Sequence, residues 1–180
     1  ISNRIKTFVD RKQAVKDVQL VIEAVFEDIN LKKEIFKDLD AICDENTILA
    51  SNTSSLSITE IASTSKRQDR IVGIHFFNPA PVMKLIELIK GLNTSENVLK
   101  TAKEFSESLA GKVVVSINDS PGFITSRLIY VMANEAVNMY MEGVASAKDI
   151  DDACKLAFNF PMGPLELADL IGNDVYNHIG

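Results

Sequence analysis

One histidine of the chain, His75, stands at the end of an apolar run, just before Asn-Pro-Ala-Pro. The two prolines force a turn, and a hairpin centred on Pro81 would bring Glu87 opposite His75, since each lies six residues from that centre. Glu87 is a lone acid among Leu and Ile residues, where a carboxylate is costly unless it is paired. A carboxylate that holds an imidazole fixes its tautomer and stabilises its protonated form, as an acid–base catalyst requires. We favour such a catalytic pair, although a purely structural buried pair fits the same pattern.

A second polar cluster lies where an apolar segment ends and a helix is predicted to begin. Ser51-Asn-Thr-Ser-Ser55 follows a strand-like run, and Glu27 has the same location after residues 20–25. In an open α/β sheet the binding crevice lies at such strand ends. The small polar side chains, Asn52 and Ser54 among them, could hydrogen-bond a ligand there. Helix capping and turn formation explain the same residues, so both interpretations stay open.

Around these residues, short apolar runs alternate with segments of helical period. Strands are predicted over 5–9, 20–25, 47–50, 71–77, 85–89 and 112–117, and helices over 28–42, 57–64 and 95–110. Asp28 suits the N-cap of the first helix. This alternation predicts a largely parallel sheet covered on both faces.

After Pro121 no strand candidate remains, and the pattern becomes helical. Helices are predicted over 123–142, 150–158 and 165–171, with Gly143 ending the first and Ser146 introducing the second. The first of these helices is too apolar for an element surrounded by solvent. We therefore divide the chain into an α/β part, residues 1–120, and an all-α part, residues 121–180.

The composition is that of an ordinary globular protein, with 180 residues, 46% hydrophobic and 24% charged. Disorder, collagen and membrane spans are excluded, since no apolar run approaches the roughly 20 residues that cross a bilayer. The net charge of -6 argues against nucleic acid as the main partner. Cys43 and Cys154 have no metal-ligand or redox spacing and favour a reducing compartment. The eight glycines never stand in G-x-G spacing, so the chain is either part of a nucleotide-binding sheet without its phosphate loop or a different α/β domain.

Five segments, in this order, carry a resemblance to a known family. They are Val21-Ile-Glu-Ala-Val25, Ser51-Asn-Thr-Ser-Ser-Leu56, His75-Phe-Phe-Asn-Pro-Ala-Pro-Val-Met-Lys-Leu85, Pro121-Gly-Phe123 and Pro161-Met-Gly-Pro-Leu165. The chain resembles the L-3-hydroxyacyl-CoA dehydrogenase family over nearly its whole length. The resemblance implies the later part of a Rossmann-type NAD-binding domain followed by an all-α C-terminal dimerisation domain. The continuation after His-Phe-Phe-Asn-Pro is similar to that of the single-function enzymes.

The resemblance implies an NAD-dependent oxidoreductase that interconverts (S)-3-hydroxyacyl-CoA and 3-ketoacyl-CoA. The expected substrates are short acyl-CoA thioesters such as 3-hydroxybutyryl-CoA, in fatty acid or butyrate metabolism. By position, His75 matches the general base and Glu87 the carboxylate that orients it. Ser54 matches a residue that contacts substrate and cofactor, with Asn52 beside it on the substrate side. On the cofactor side the matching residues are Glu27, Lys32 and Asn78, and Lys32 is also placed near CoA.

The chain departs from the family pattern at Ser126, where the family often has Asn. Ser126 can still hydrogen-bond, and we keep it among the catalytic candidates. The family's G-x-G-x-x-G segment and its last helices have no counterpart here, so we expect the chain to be the middle of a polypeptide of roughly 280 to 300 residues. Alone, this segment is predicted to bind NAD poorly and to turn over negligibly.

Partners and compartment follow from the same resemblance. We expect a homodimer formed through the all-α domain, with no membrane or nucleic-acid partner. The expected compartment is the cytoplasm, or the mitochondrial matrix if a targeting segment precedes Ile1. The second histidine, His178, is expected at the surface. Two alternatives stay open: a related dehydrogenase of a non-CoA 3-hydroxy acid, and an inactive relative that serves only in association.

Overall fold

The computed structural model describes residues 4–172, and the chain divides into two compact units, residues 1–121 and 122–180. His178 lies outside the described residues. Between residues 4 and 172, none of the helices is long and apolar enough to cross a membrane.

The first unit is built on a five-stranded sheet whose strands lie side by side in chain order. The strands are β1 (Leu20–Glu23), β2 (Ile48–Ser51), β3 (Ile71–Phe76), β4 (Leu85–Lys90) and β5 (Val113–Asn118). Neighbouring strands are parallel except β3 and β4, which form an antiparallel hairpin. The carboxyl ends of β1, β2 and β3 therefore meet at one edge of the sheet.

Four α-helices connect or precede these strands. They are α1 (Arg11–Ala14), α2 (Ile29–Ile42), α3 (Ile58–Ala62) and α4 (Glu96–Ser108), with a short 3-10 turn at Gln68–Arg70. Asp28 caps α2 as predicted, because its carboxylate accepts from the N–H of Leu31 at 2.8 Å. Ser57 caps α3 in the same way, and Ser95 caps α4.

The central strands β2, β3 and β4 are buried on both faces, whereas Val113 and Val115 of β5 are exposed. Alternate residues of each strand face opposite sides. One face forms an apolar core with α4, made of Ile48, Ala50, Val72, Ile74, Ile86, Leu88, Val98 and Ala102. On the other face, α3 packs closely over Gly73. A Cβ at that position would lie 2.8 Å from the Cβ of Ile89 and 2.9 Å from the Cδ1 of Ile58. Only glycine lets the helix approach the sheet this closely.

The strand predicted over residues 5–9 is wrong. Residues 5–8 form no strand, and the side chains of Ile5, Phe8 and Val9 are largely exposed. Apolar, β-favouring residues become a strand only when a neighbouring strand takes up their backbone N–H and C=O groups. No strand of the part that the structure describes does so here.

The second unit is helical, as the sequence predicts. Its helices are α5 (Thr125–Met141), α6 (Ala147–Phe158) and α7 (Pro164–Ile171). Gly143 follows α5 with a φ of 72°, and Ser146 caps α6 through the N–H of Asp149 at 3.2 Å. The buried Asp151 caps α7 by accepting from the N–H of Leu165 at 2.9 Å. Several large apolar side chains of α5 are exposed: Leu128, Val131, Val137, Tyr140 and Met141.

Candidate functional site

A histidine–glutamate pair crosses the β3–β4 hairpin. His75 and Glu87 are direct partners in the antiparallel register, and Nδ1 of the imidazole lies 2.9 Å from Oε2 of the carboxylate. Both side chains are buried, at 4% and 1% exposure. The pairing predicted from the prolines is therefore confirmed. The ring of Phe77 packs against the imidazole, with centroids 4.4 Å apart.

This geometry determines how the imidazole can act. The carboxylate of Glu87 accepts a hydrogen bond from the Nδ1–H of His75, which makes Nε2 the atom for proton transfer in the neutral ring. The same carboxylate stabilises the positive charge that the ring gains when Nε2 takes a proton. Such an arrangement can serve as a general base with an orienting carboxylate.

The polar segment after β2 lies at the edge where the parallel strands end. Glu23, Ser51 and Gly73 are register partners across β1, β2 and β3, which puts them in one row on one face. His75 lies two residues beyond Gly73 on that face. Asn52 links two strand ends, because its Oδ1 accepts from the backbone N–H of Phe76 at 2.8 Å.

Glu27 organises residues 53–55 of this segment. Its Oε1 accepts from the Thr53 hydroxyl at 2.5 Å and from the backbone N–H groups of Ser54 and Ser55 at 2.8 and 3.1 Å. Partial burial raises the pKa of Glu27, but the Thr53 hydroxyl, the Lys32 ammonium and these N–H groups outweigh it. The pKa therefore lies below its usual value of 4.5. The carboxylate and the Ser54 segment form one hydrogen-bonded unit.

Lys32 is buried, with only 1% of its surface exposed. Its ammonium lies 2.7 Å from Oε1 of Glu23, 3.4 Å from Oε2 of Glu27 and 3.3 Å from the carbonyl oxygen of Val25. Three protein oxygens thus surround the ammonium. The prediction that Lys32 contacts cofactor or CoA stays a prediction.

Sequence reasoning missed Glu23. It is buried at 5% exposure, and both its carboxylate oxygens accept hydrogen bonds. The signal that led to Glu87, a lone acid at an apolar strand, was equally present in Leu20-Val-Ile-Glu23. Its partner Lys32 lies nine residues later, on the next helix. That pairing cannot be found by counting residues from a turn, as the pairing across a hairpin can.

Two further candidates lie on other elements of the chain. Asn78 is exposed in the loop after β3, three residues beyond His75. Ser126 lies in the first turn of α5, in the second unit. The catalytic and binding roles of both stay predictions.

Two family models cover the chain. Residues 1–120 match the 3-hydroxyacyl-CoA dehydrogenase NAD binding domain, and residues 122–180 match the 3-hydroxyacyl-CoA dehydrogenase C-terminal domain.

Individual relatives agree with these models. The chain is 56% identical over 161 residues to a 3-hydroxybutyryl-CoA dehydrogenase of Clostridioides difficile, covering 89% of the chain and 57% of that protein. It is 49% identical to the mitochondrial hydroxyacyl-coenzyme A dehydrogenase of Homo sapiens, covering 97% of the chain and 55% of that protein. The chain thus spans somewhat over half the length of the curated relatives it matches.

A solved structure shows the same architecture. The (S)-3-hydroxybutyryl-CoA dehydrogenase of Ralstonia eutropha superposes with a TM-score of 0.89 at 46% identity, covering 93% of this chain and 59% of that one. The predicted fold class, part of a Rossmann-type domain followed by an all-α domain, is confirmed.

Proposed function

The chain belongs to the 3-hydroxyacyl-CoA dehydrogenase family, and on that premise we propose that the complete protein is an NAD-dependent oxidoreductase interconverting (S)-3-hydroxyacyl-CoA and 3-ketoacyl-CoA. The observation that carries the proposal is the buried His75–Glu87 pair. It supplies a base held in one tautomer at the sheet edge where α/β folds bind ligands.

In the oxidative direction, His75 takes the proton of the substrate's 3-hydroxyl group at Nε2. NAD, when bound, supplies the hydride acceptor for C3. Glu87 keeps Nδ1 protonated and stabilises the positive charge that the ring acquires. In the reductive direction the same ring returns the proton to the forming alkoxide oxygen.

Four further residues belong to the proposed site. Ser54, with Asn52 beside it, contacts the substrate near the reacting oxygen. The Glu27 carboxylate holds this segment by accepting the backbone N–H of Ser54. Ser126 is the proposed hydrogen-bonding residue from the all-α domain, which we assign to residues 121–180. The shorter Ser side chain stands there in place of the Asn often found in the family.

The residues present fit one end of NAD. The carboxyl ends of β1 and β2 carry Glu27 and Ser54, already joined by a hydrogen bond of 2.8 Å, and Asn78 is exposed after β3. A carboxylate, a hydroxyl and an amide suit the polar groups of a nicotinamide riboside. The glycines of this chain offer no G-x-G loop for the pyrophosphate. We assign residues 1–120 to the cofactor domain and include Lys32 in it as support for Glu27.

The proposed substrate class is short-chain. Its support is the likeness to proteins from C. difficile and R. eutropha that are named 3-hydroxybutyryl-CoA dehydrogenases, at 56% and 46% identity. Comparing 3-hydroxybutyryl-CoA with longer 3-hydroxyacyl-CoA thioesters and with free 3-hydroxybutyrate tests both chain length and the need for CoA.

We further propose a homodimer formed through the all-α domain. The support is α5, where Leu128 and Val131, three residues apart and so neighbours on one side of the helix, are 65% and 61% exposed. Apolar side chains grouped in this way favour association. Light scattering on the complete gene product should give twice the monomer mass, and Leu128→Asp should shift the mass toward one copy. The proposed compartment is the cytoplasm, supported by the free thiols of Cys43 and Cys154.

The central experiment is the oxidation of 3-hydroxybutyryl-CoA by the complete gene product, followed by NADH absorbance. His75→Gln should lower kcat by about 10² to 10⁴-fold, the usual contribution of a general base. Wild-type protein that does not reduce NAD with any 3-hydroxyacyl-CoA refutes the function. A loss below about tenfold in the variant removes His75 from the mechanism.

A further inference from the structure

Glu23 is a buried carboxylate that the proposed chemistry leaves without a role. At 5% exposure, its Oε1 accepts from the Lys32 ammonium and the N–H of Val25, each at 2.7 Å, and its Oε2 accepts from the Ser51 hydroxyl at 2.7 Å. A buried ion pair pays a desolvation penalty that apolar side chains of the same volume avoid. Stability alone therefore does not explain why the charge is there.

The first connection from Glu23 leads to the start of the polar segment after β2. Ser51 donates its hydroxyl hydrogen to Glu23, so the hydroxyl oxygen keeps its lone pairs for other donors. The backbone N–H of Thr53 donates to that oxygen at 3.2 Å. Glu23 thus sets the orientation of the hydroxyl that holds Thr53.

The second connection leads to the other end of the same segment. Lys32 places its ammonium 2.7 Å from Glu23 and 3.4 Å from Oε2 of Glu27. The other oxygen of Glu27 accepts the N–H groups of Ser54 and Ser55. The carboxylates of Glu23 and Glu27 thus share the Lys32 ammonium. The Glu27 carboxylate in turn accepts the backbone N–H of Ser54.

We infer that Glu23 is a positioning residue, which holds the segment 51–55 at both ends and so fixes Ser54 against the substrate. The inference rests on the proposed function for its catalytic consequence. Glu23 contacts neither substrate nor cofactor and acts through Ser51 on one side and through Lys32 and Glu27 on the other.

Glu23→Gln removes the charge and leaves the side-chain shape nearly unchanged. Lys32 then has Glu27 as its only carboxylate within 4 Å among the ion pairs of the described chain. It is drawn toward Glu27, which weakens the acceptor that holds Ser54. Glu60→Gln is the matched control, because Glu60 also pairs with a lysine at 2.7 Å but at the protein surface.

The first measurement is amide hydrogen exchange by NMR on the complete gene product without ligands. In Glu23→Gln, the N–H groups of Thr53, Ser54 and Ser55 should exchange about tenfold faster or more, the scale of a lost charge-assisted hydrogen bond. Exchange within α4, on the opposite face of the sheet, should stay unchanged, as should the whole pattern in Glu60→Gln. Unchanged exchange at residues 53–55 overturns the inference.

The second measurement is steady-state kinetics at a temperature well below the melting point of the variant. A displaced Ser54 should lower kcat by about 10- to 100-fold, since misplacement of about 1 Å has costs of this size. A merely structural Glu23 would lower the melting temperature and leave kcat per folded molecule unchanged, and that result contradicts the inference. If Glu23→Gln does not fold, Ser51→Ala decides: unchanged kcat and unchanged exchange at Ser54 overturn it. Amide hydrogen exchange does not depend on turnover. An inactive wild type would therefore refute the proposed function, while the exchange measurement would still test the positioning role of Glu23.

Discussion

Replacing Glu87 with Gln separates the charge of the orienting side chain from its shape. The carboxylate lies 2.9 Å from Nδ1 of His75, and the pair is buried. Gln has the same length and can still accept the Nδ1–H with its carbonyl oxygen. What is lost is the negative charge beside a ring that becomes positive during the reaction.

The size of the effect follows from this geometry. Two unit charges 2.9 Å apart attract by about 6 kcal/mol at an effective dielectric constant of about 20, which is an upper bound. A charge-assisted hydrogen bond exceeds a neutral one by about 1 to 2 kcal/mol in net free energy. At 1.36 kcal/mol per tenfold, kcat should fall by about 5- to 30-fold. The loss is larger if the amide turns its NH₂ group toward Nδ1 and enforces the other tautomer.

The assay is NADH formation by the complete gene product at saturating 3-hydroxybutyryl-CoA, with NAD varied. We expect kcat to fall while KM for NAD changes less than about threefold, since Glu87 acts through His75. Glu87→Asp, which keeps the charge but withdraws it by one methylene, serves as the matched variant. An unchanged kcat in Glu87→Gln, or a collapse of NAD binding with kcat preserved, refutes the orienting role and leaves the pair structural.

Other consequences of the structure can be measured on the same protein. The lowered pKa of Glu27 means that its carboxylate stabilises the fold above the unfolded pKa of 4.5 and that this contribution disappears as pH falls through the folded pKa. Urea midpoints between about pH 6 and pH 3 should thus fall less steeply in Glu27→Gln, and parallel curves would contradict this. Gly73→Ala should lower the free energy of unfolding by about 1 to 3 kcal/mol, because its Cβ would meet Ile89 at 2.8 Å; urea titration that shows no loss would disprove the close packing. The 180-residue chain alone should not reduce NAD measurably with 3-hydroxybutyryl-CoA, and detectable turnover by it contradicts the need for a separate phosphate loop.

The sequence predicted the fold best where local rules suffice. Asp28 caps α2 as predicted, and the helices predicted from residues 57 and 95 begin at Ile58 and Glu96, because a helix start depends on residues within one turn. The His75–Glu87 pairing was also predictable, since a hairpin makes register a matter of counting from its turn. The strand predicted over residues 5–9 is wrong because a strand depends on a partner strand, which can come from any part of the chain. Apolar residues do not identify that partner strand.

The same distinction explains what the sequence left out of the site. The burial of Lys32 could not be predicted from a lysine in an amphipathic helix. The hydrogen bond from the Ser54 N–H to Glu27 joins segments separated by 27 residues, and no pattern in the sequence predicts it. Long-range contacts of this kind follow from the sheet order, and that order was open until the strands were placed.

Two buried carboxylates on one face of the sheet receive different tasks from the bases they hold. Glu23 and Glu87 both lie in apolar strands, and each holds a cationic or ionisable partner within 3 Å. The Lys32 ammonium is held by Glu23, Glu27 and the carbonyl oxygen of Val25, so the Glu23–Lys32 pair suits a permanent scaffold for the neighbouring segment. An imidazole has a second ring nitrogen that can exchange a proton while Glu87 holds Nδ1, so the Glu87–His75 pair suits proton transfer. The row formed by Glu23, Ser51 and Gly73 lies directly beside the His75–Glu87 pair, which brings the scaffold and the base to the same edge. Removing the charge of Glu23 should therefore disturb the position of the substrate, and removing the charge of Glu87 should disturb proton transfer at His75.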